Sequence, residues 1–351
     1  MSWLTSLARP EIAALKSYEH AAWEPALERL HANELPWRAL GDNSDAGLNR
    51  YPEPQPRDLV NRLAELYGVA ADSVLAGRGS DEMIDLLVRV FCRAAQDSLI
   101  ICPPTFGMYA VSARIQGAEI ITVPLRADQG FSLDESALLD RCTPAVKVVF
   151  LCSPNNPTGN LLSEAAVLRL ASRLEKRALV VVDEAYIEFA AQPSLARHIQ
   201  QFSHLVILRT LSKAHGLAGA RCGTLIASPE IIALLRKVIP PYAISQLTVE
   251  AALRLLQPPQ LAVMRARVEA LCTERNRLST TLRAVANTAR VWPSEANFIL
   301  VEFKDPDGAL ACTRAARQLI RDVRAQHGLE RALRISVGTR EQNDRLLKAL
   351  A

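Results

Sequence analysis

The sequence predicts an α/β fold: a large domain on a mainly parallel, doubly wound sheet, followed by a smaller α+β domain. Three observations carry this expectation. Short β-branched runs that are apolar throughout alternate with amphipathic helical stretches from about Arg57 to Val238. Turn-rich polar clusters follow several of those runs. After Pro240 and Pro241 the pattern changes to long amphipathic helices with only two strand-like pieces. Strands apolar at every position suit a parallel sheet covered on both faces, and such sheets bind ligands beyond the carboxyl ends of their strands.

In chain order, residues 1–40 read as a helical, proline-punctuated segment that packs with the smaller domain. Asn43–Arg57 is dense in turn formers and reads as an extended loop. The large domain, 41–240, has strand candidates at Leu99–Cys102, Ile120–Val123, Val146–Leu151, Leu179–Val182, Leu205–Leu208 and Thr224–Ala227. Helical stretches include Asp81–Cys92 and Ser163–Lys176. The smaller domain, 241–351, opens with helices to about Val285, then has strand candidates at Phe298–Glu302 and Leu333–Val337 and a final helix.

Composition narrows the function class. The chain has 351 residues, 49% hydrophobic and 22% charged, enough for a large core and a satellite. Its net charge of +4 is scattered, with no basic stripe interleaved with aromatics, so nucleic acid is not an expected partner. The seven cysteines stand singly, without a C-x-x-C pair, which argues against a disulfide framework and against a metal site. No leader pattern opens the chain, and its apolar runs are too short to span a bilayer. We therefore expect a cytoplasmic protein with no membrane partner.

The polar strand ends hold the chemistry. Val180–Val182 runs into Asp183, Glu184, Ala185 and Tyr186. A carboxylate at a buried strand end needs a partner, which a helix cap, a salt bridge or a protonated pyridine nitrogen would each supply. Leu151 and Cys152 run into the turn SPNNPTG, which can aim Asn156 into a cleft. Leu205–Leu208 runs into RTLSKAHG, with Arg221 eight residues after Lys213. A lysine flanked by hydroxyls and a nearby arginine suits an aldehyde cofactor bearing a phosphate. GRGSDE opens a helix whose start could bind phosphate through its N–H groups, although Asp81 and Glu82 would equally suit a helix first turn. Each signal alone is weak; acid, asparagine, lysine and phosphate-binding groups all at strand ends are a specific combination.

Those residues resemble the fold-type I pyridoxal 5′-phosphate (PLP) aminotransferases, and within them the histidinol-phosphate aminotransferases. The likeness runs through LKSYE, HANELPW, NRYPEPQPRDL, GRGSDEMIDLL, CPPTFGMY, VVFLCSPNNPTG, VVVDEAYIEF, LRTLSKAHGLAGARCG, ANFIL and LRISVGTRE. It implies Lys213 as the Schiff-base lysine, Asp183 on the pyridine nitrogen, and Asn156 and Tyr186 on the ring hydroxyl. Tyr109 is implied to stack on the ring face, and Ser80, Asp81, Thr210, Ser212 and Arg221 to surround the phosphate. The resemblance places Tyr51 on the neighbouring subunit's phosphate, implying a homodimer with shared active sites. Arg334 is implied to bind the donor's carboxylate or the substrate's phosphate, with Arg321, Tyr18, Asn33 and Tyr242 as candidates to complete that site.

The implied reaction passes an amino group between L-histidinol phosphate or imidazole acetol phosphate and 2-oxoglutarate or L-glutamate, in histidine biosynthesis. An aromatic amino-acid aminotransferase would use the same residues, and a threonine-phosphate decarboxylase would share the fold and an anionic substrate. A PLP-binding transcriptional regulator or a noncatalytic homologue ranks below these. Ser17, Leu35 and His215 depart from the family's usual residues, which leaves the fine substrate preference open.

Overall fold

The interior strand Val146–Cys152 shows why the chain forms layers. Val148, Phe150 and Cys152 join one apolar cluster, whereas Val149 and Leu151 join another on the opposite face. The side-chain period of two therefore supplies both faces of one sheet. The computed structural model describes residues 2–24 and 26–351.

The large sheet has seven strands: β1 (Val74–Gly77), β2 (Ser98–Ile101), β3 (Glu119–Thr122), β4 (Val146–Cys152), β5 (Leu179–Asp183), β6 (Leu205–Thr210) and β7 (Gly223–Ile226). Their order is β1-β7-β6-β5-β4-β2-β3. β3, β2, β4, β5 and β6 run parallel, and β7 is antiparallel to both its neighbours. Helices Ser80–Phe91, Met108–Gln116 and Pro229–Arg236 cover one face. Helices Glu135–Arg141 and Glu164–Leu174 cover the other. The last of these illustrates the local code: Ser163 caps it by accepting from the Ala166 N–H, and Val167, Leu170, Ala171 and Leu174 are buried.

A second, four-stranded antiparallel sheet follows: β8 (Thr288–Val291), β9 (Phe298–Phe303), β10 (Arg321–Asp322) and β11 (Ala332–Ser336), in the order β10-β11-β9-β8. Helix Pro258–Arg283 leads into it, and helix Arg340–Leu350 closes the chain.

The N-terminal segment differs from expectation. It is helical only at Trp3–Leu7 and Pro10–Ala14, and these pieces pack on the large domain instead of the small one. Leu4, Leu7 and Ala8 join the core beside helix Pro229–Arg236. The Thr5 hydroxyl donates to Glu230 at 2.6 Å, and the Arg9 N–H donates to the Val90 carbonyl at 3.0 Å. The apolar residues of that first turn find their cover there. From residue 15 to 56 no helix or strand occurs among the described residues. This stretch is organised by the Glu34 carboxylate, which accepts from Arg29, from Arg50 and from the Tyr51 amide. Burial alone would raise its pKa, but those three donors outweigh it and hold Glu34 below the usual range.

One glycine fixes how closely the antiparallel strand approaches the rest. A Cβ at Gly223 would collide with the carbonyl carbon of Gly79 and the nitrogen of Ser80. That contact seats the start of helix Ser80–Phe91 against β7. Gly223→Ala should therefore force the Gly79–Ser80 backbone aside and destabilise the fold by about 1–3 kcal/mol. The midpoint of urea unfolding reads this directly; an unshifted midpoint would refute the close approach.

Candidate active site

The strand ends converge on one cleft. At the end of β5, Asp183 is buried and pairs in register with Cys152 at the end of β4. The Tyr109 hydroxyl donates to its Oδ2 at 2.8 Å, and the Ala185 N–H donates to its Oδ1 at 3.1 Å. Among the described residues no cation lies within ion-pairing distance of it. Burial is the dominant influence and lifts the Asp183 pKa to about 6, although both donors oppose it.

Tyr109 corrects one expectation. Its ring is fully buried and stacks on Phe150, with centroids 4.8 Å apart and planes 5° from parallel, so it cannot stack on a group in the cleft. It acts on the carboxylate from behind. From the TFGMY turn it is Phe106, three residues earlier, that lines the cleft. The sequence does not distinguish the two rings, because helix Met108–Gln116 begins between them and only the helix start decides which faces inward.

An anion cradle forms opposite. Gly79 precedes helix Ser80–Phe91 without a side-chain cap, leaving the first-turn N–H groups free of one. Glu82 turns back to accept from the Arg78 N–H at 2.7 Å, and so faces away from the cradle. From the other side come Thr210, at the end of β6, and Ser212, whose N–H donates to the Thr210 hydroxyl oxygen at 3.1 Å. Arg221, with a left-handed φ of 56°, reaches Asp81 at 3.1 Å. Ser80, Asp81, Thr210, Ser212 and Arg221 all line the cleft.

Lys213, Asn156 and Tyr186 line it as well. The Lys213 ammonium sits 5.5 Å from the Tyr186 ring centroid. Desolvation by the cleft walls lowers the Lys213 pKa, and the Arg334 charge adds to that; Asp81 and Asp183 oppose it. Burial raises the Tyr186 pKa. Arg334, on β11, donates from Nη1 to the Asn156 side-chain oxygen and lies 5.1 Å from the Phe298 ring. Arg321 is its direct cross-strand partner on β10, so two guanidinium groups share one edge of the small sheet.

Besides Tyr109, six expected residues do not line the cleft in this single chain: Arg334 and Arg321 on the small sheet, and Tyr51, Tyr242, Tyr18 and Asn33. Tyr51 is half-exposed and stacks on Tyr242, with centroids 4.5 Å apart. Tyr18 lines a separate hollow with His20, Trp23 and Pro240. Asn33 is exposed, with φ 56°. Cys152, Ala185 and Ala218 also line the lysine cleft and were not foreseen. Cys152 carried a signal, as the last residue of an apolar run beside that of Asp183.

Comparison with known proteins fits this arrangement. Residues 27–350 match the family described as aminotransferase class I and II. The chain belongs to the class I and II aminotransferases. A histidinol-phosphate aminotransferase of Stenotrophomonas maltophilia is 45% identical over 99% of this chain and 96% of its own length. The structure of a histidinol-phosphate aminotransferase from Sinorhizobium meliloti, in complex with pyridoxal-5′-phosphate, has a TM-score of 0.77 and 26% identity, covering 86% of this chain and 82% of that one. One from Clostridium acetobutylicum has a TM-score of 0.79 at 23% identity, over 86% and 90% of the two chains, and shows the shared fold.

PLP is the cofactor of this aminotransferase, and the residues present fit it. Among the described residues no cation pairs with the buried Asp183 carboxylate, a role a protonated pyridine ring would fill, and the Lys213 amine and the anion cradle line the same cleft.

This predicts a pH signature. The folded pKa of Asp183, about 6, lies above its ordinary 3.8, so the folded state holds that proton more tightly than the unfolded state. The resulting stability is present in full below 3.8 and is lost as pH rises through about 6. Cofactor-free protein should therefore lose unfolding free energy across that window relative to Asp183→Asn, and bound PLP should abolish the loss. Parallel stability–pH curves for the two cofactor-free proteins would contradict the burial argument.

Proposed function

We propose that this aminotransferase moves an amino group from L-histidinol phosphate to 2-oxoglutarate, giving imidazole acetol phosphate and L-glutamate, or runs the reverse in histidine biosynthesis. One observation carries the substrate assignment. Arg334 donates to Asn156 at the lysine cleft, and Arg321 is its direct cross-strand partner on β10. Histidinol phosphate has no carboxylate but carries a phosphate, whereas glutamate brings carboxylates. A paired guanidinium site serves both anions in turn, because its planar donors match either group bidentately. The full-length likeness to enzymes named for this substrate supports the same reading.

When bound, PLP supplies the electron sink for breaking the bond to hydrogen at the amine-bearing carbon. The protein's residues do the rest. Lys213 would hold the cofactor covalently, and its Nζ would move the proton between that carbon and the cofactor's aldehyde carbon. Asp183 keeps the ring nitrogen protonated, and Tyr109 keeps Asp183 aimed. Asn156 and Tyr186 hydrogen-bond the ring hydroxyl. Ser80, Thr210, Ser212 and Arg221 bind the cofactor's phosphate, with Asp81 beside them. Phe106 packs on the ring.

We propose that the enzyme is a homodimer with shared sites. Leu30, Leu35, Trp37 and Leu40 are each more than two-thirds exposed in the single chain, on a stretch without a core of its own. A second copy covering this stretch would bring Tyr51, and with it Tyr242, Tyr18 and Asn33, toward the partner's cleft. All seven cysteines are free thiols, which suits the reducing cytoplasm.

Two experiments test the assignment. Lys213→Ala should lower turnover of histidinol phosphate by ~10³-fold or more, while other features of the fold stay intact by circular dichroism. In the wild type, absorbance of the lysine-bound cofactor should be bleached by histidinol phosphate at far lower concentration than by phenylalanine. Equal or better conversion by phenylalanine would make this a broad aromatic transaminase.

A further inference from the structure

Helix Pro258–Arg283 is largely exposed, and among its buried residues, with Leu278 and Leu282, stands Arg275. A buried charge is a poor device for stability, since an apolar side chain in its place is often neutral or stabilising. Its contacts suggest another use. Nη1 donates to the Phe189 carbonyl at 3.2 Å and to the Ala296 carbonyl at 3.0 Å, and Nη2 lies 3.6 Å from Glu295. Phe189 ends the short turn that begins after Tyr186. Ala296 lies in a loop, residues 294–297, that touches both the Asn156 turn and the small sheet. There the Glu295 N–H donates to the Gly159 carbonyl at 2.7 Å, in the turn that carries Asn156. The Asn297 carbonyl accepts from Val337 at 2.9 Å, just past β11. The next residue, Phe298, meets the Tyr186 ring edge-on at 5.1 Å and lies under Arg334.

We propose that Arg275 is a positioning residue: by clamping the loop at 294–297 to the Tyr186 turn, it sets the distance between the Arg334 guanidinium and the lysine cleft. It touches neither substrate nor cofactor, and acts through Phe298 and β9. The inference rests on Arg334 binding the substrate anion, as proposed above.

The test compares holoenzyme variants on histidinol phosphate and on histidinol, which lacks the phosphate. Arg275→Met should cut the ratio of their kcat/KM values about tenfold, the loss expected for charge-assisted hydrogen bonds worth ~1.5 kcal/mol. The change should sit in KM, with the cofactor absorbance band and the kcat unchanged within about twofold. Arg275→Lys keeps the charge and can reach one carbonyl, so it should show a smaller cut and recover part of the ratio. Should Arg275→Met fail to fold, Arg275→Lys decides alone. A ratio unchanged from wild type, or an equal loss on both substrates, overturns the proposal and leaves Arg275 a structural residue. A wild type indifferent to the phosphate would instead refute the substrate reading. The KM for 2-oxoglutarate, also an anion, then decides Arg275: a rise supports the clamp and no rise refutes it.

Discussion

A buried carboxylate without a cation is the constraint around which this protein is organised. Asp183 ends the central strand β5, out of water, and among the described residues only a tyrosine hydroxyl and one backbone N–H donate to it. An ionised group so placed is costly unless a positive charge arrives. The protein accepts that cost at one point, and a protonated pyridine ring is the partner that would relieve it. The deep placement also explains why Tyr109 is locked against Phe150: a carboxylate with so few donors needs each of them held still.

The remaining groups follow from the direction of the strands. Because β4, β5 and β6 are parallel, their carboxyl ends open on the same side and present Cys152, Asp183 and Thr210 in a row. β7, running the other way, begins just after Arg221 and beside the start of helix Ser80–Phe91. Its tight approach at Gly223 closes the anion cradle. The small sheet adds what the large one lacks, a paired cationic edge at Arg321 and Arg334, tied to the large domain where Arg334 donates to Asn156.

Much of this was legible in the residues themselves, for a physical reason. β4, β5 and β6 are apolar at nearly every position, so their extents stood out, and the polar residue after each marked the cleft. β1 and β8 escaped notice because four residues such as VLAG or TARV have neither the length nor the pattern to declare a strand. The N-terminal segment was misplaced because amphipathic character says that a face will be buried, and not which surface buries it. The choice between Phe106 and Tyr109 depended on a single turn of backbone. Tyr51, Tyr18, Asn33 and Tyr242 are legible only through family likeness, since in one chain they point to solvent or to one another.

The pairing of Asp183 with the cofactor's ring nitrogen is the claim most open to direct measurement. Nitrogen-15 NMR of the wild-type enzyme loaded with ring-labelled PLP should show a protonated nitrogen at pH 7.5, and Asp183→Asn should shift it to the unprotonated form. An unprotonated nitrogen in the wild type, or the same signal in both proteins, would contradict the account at its centre.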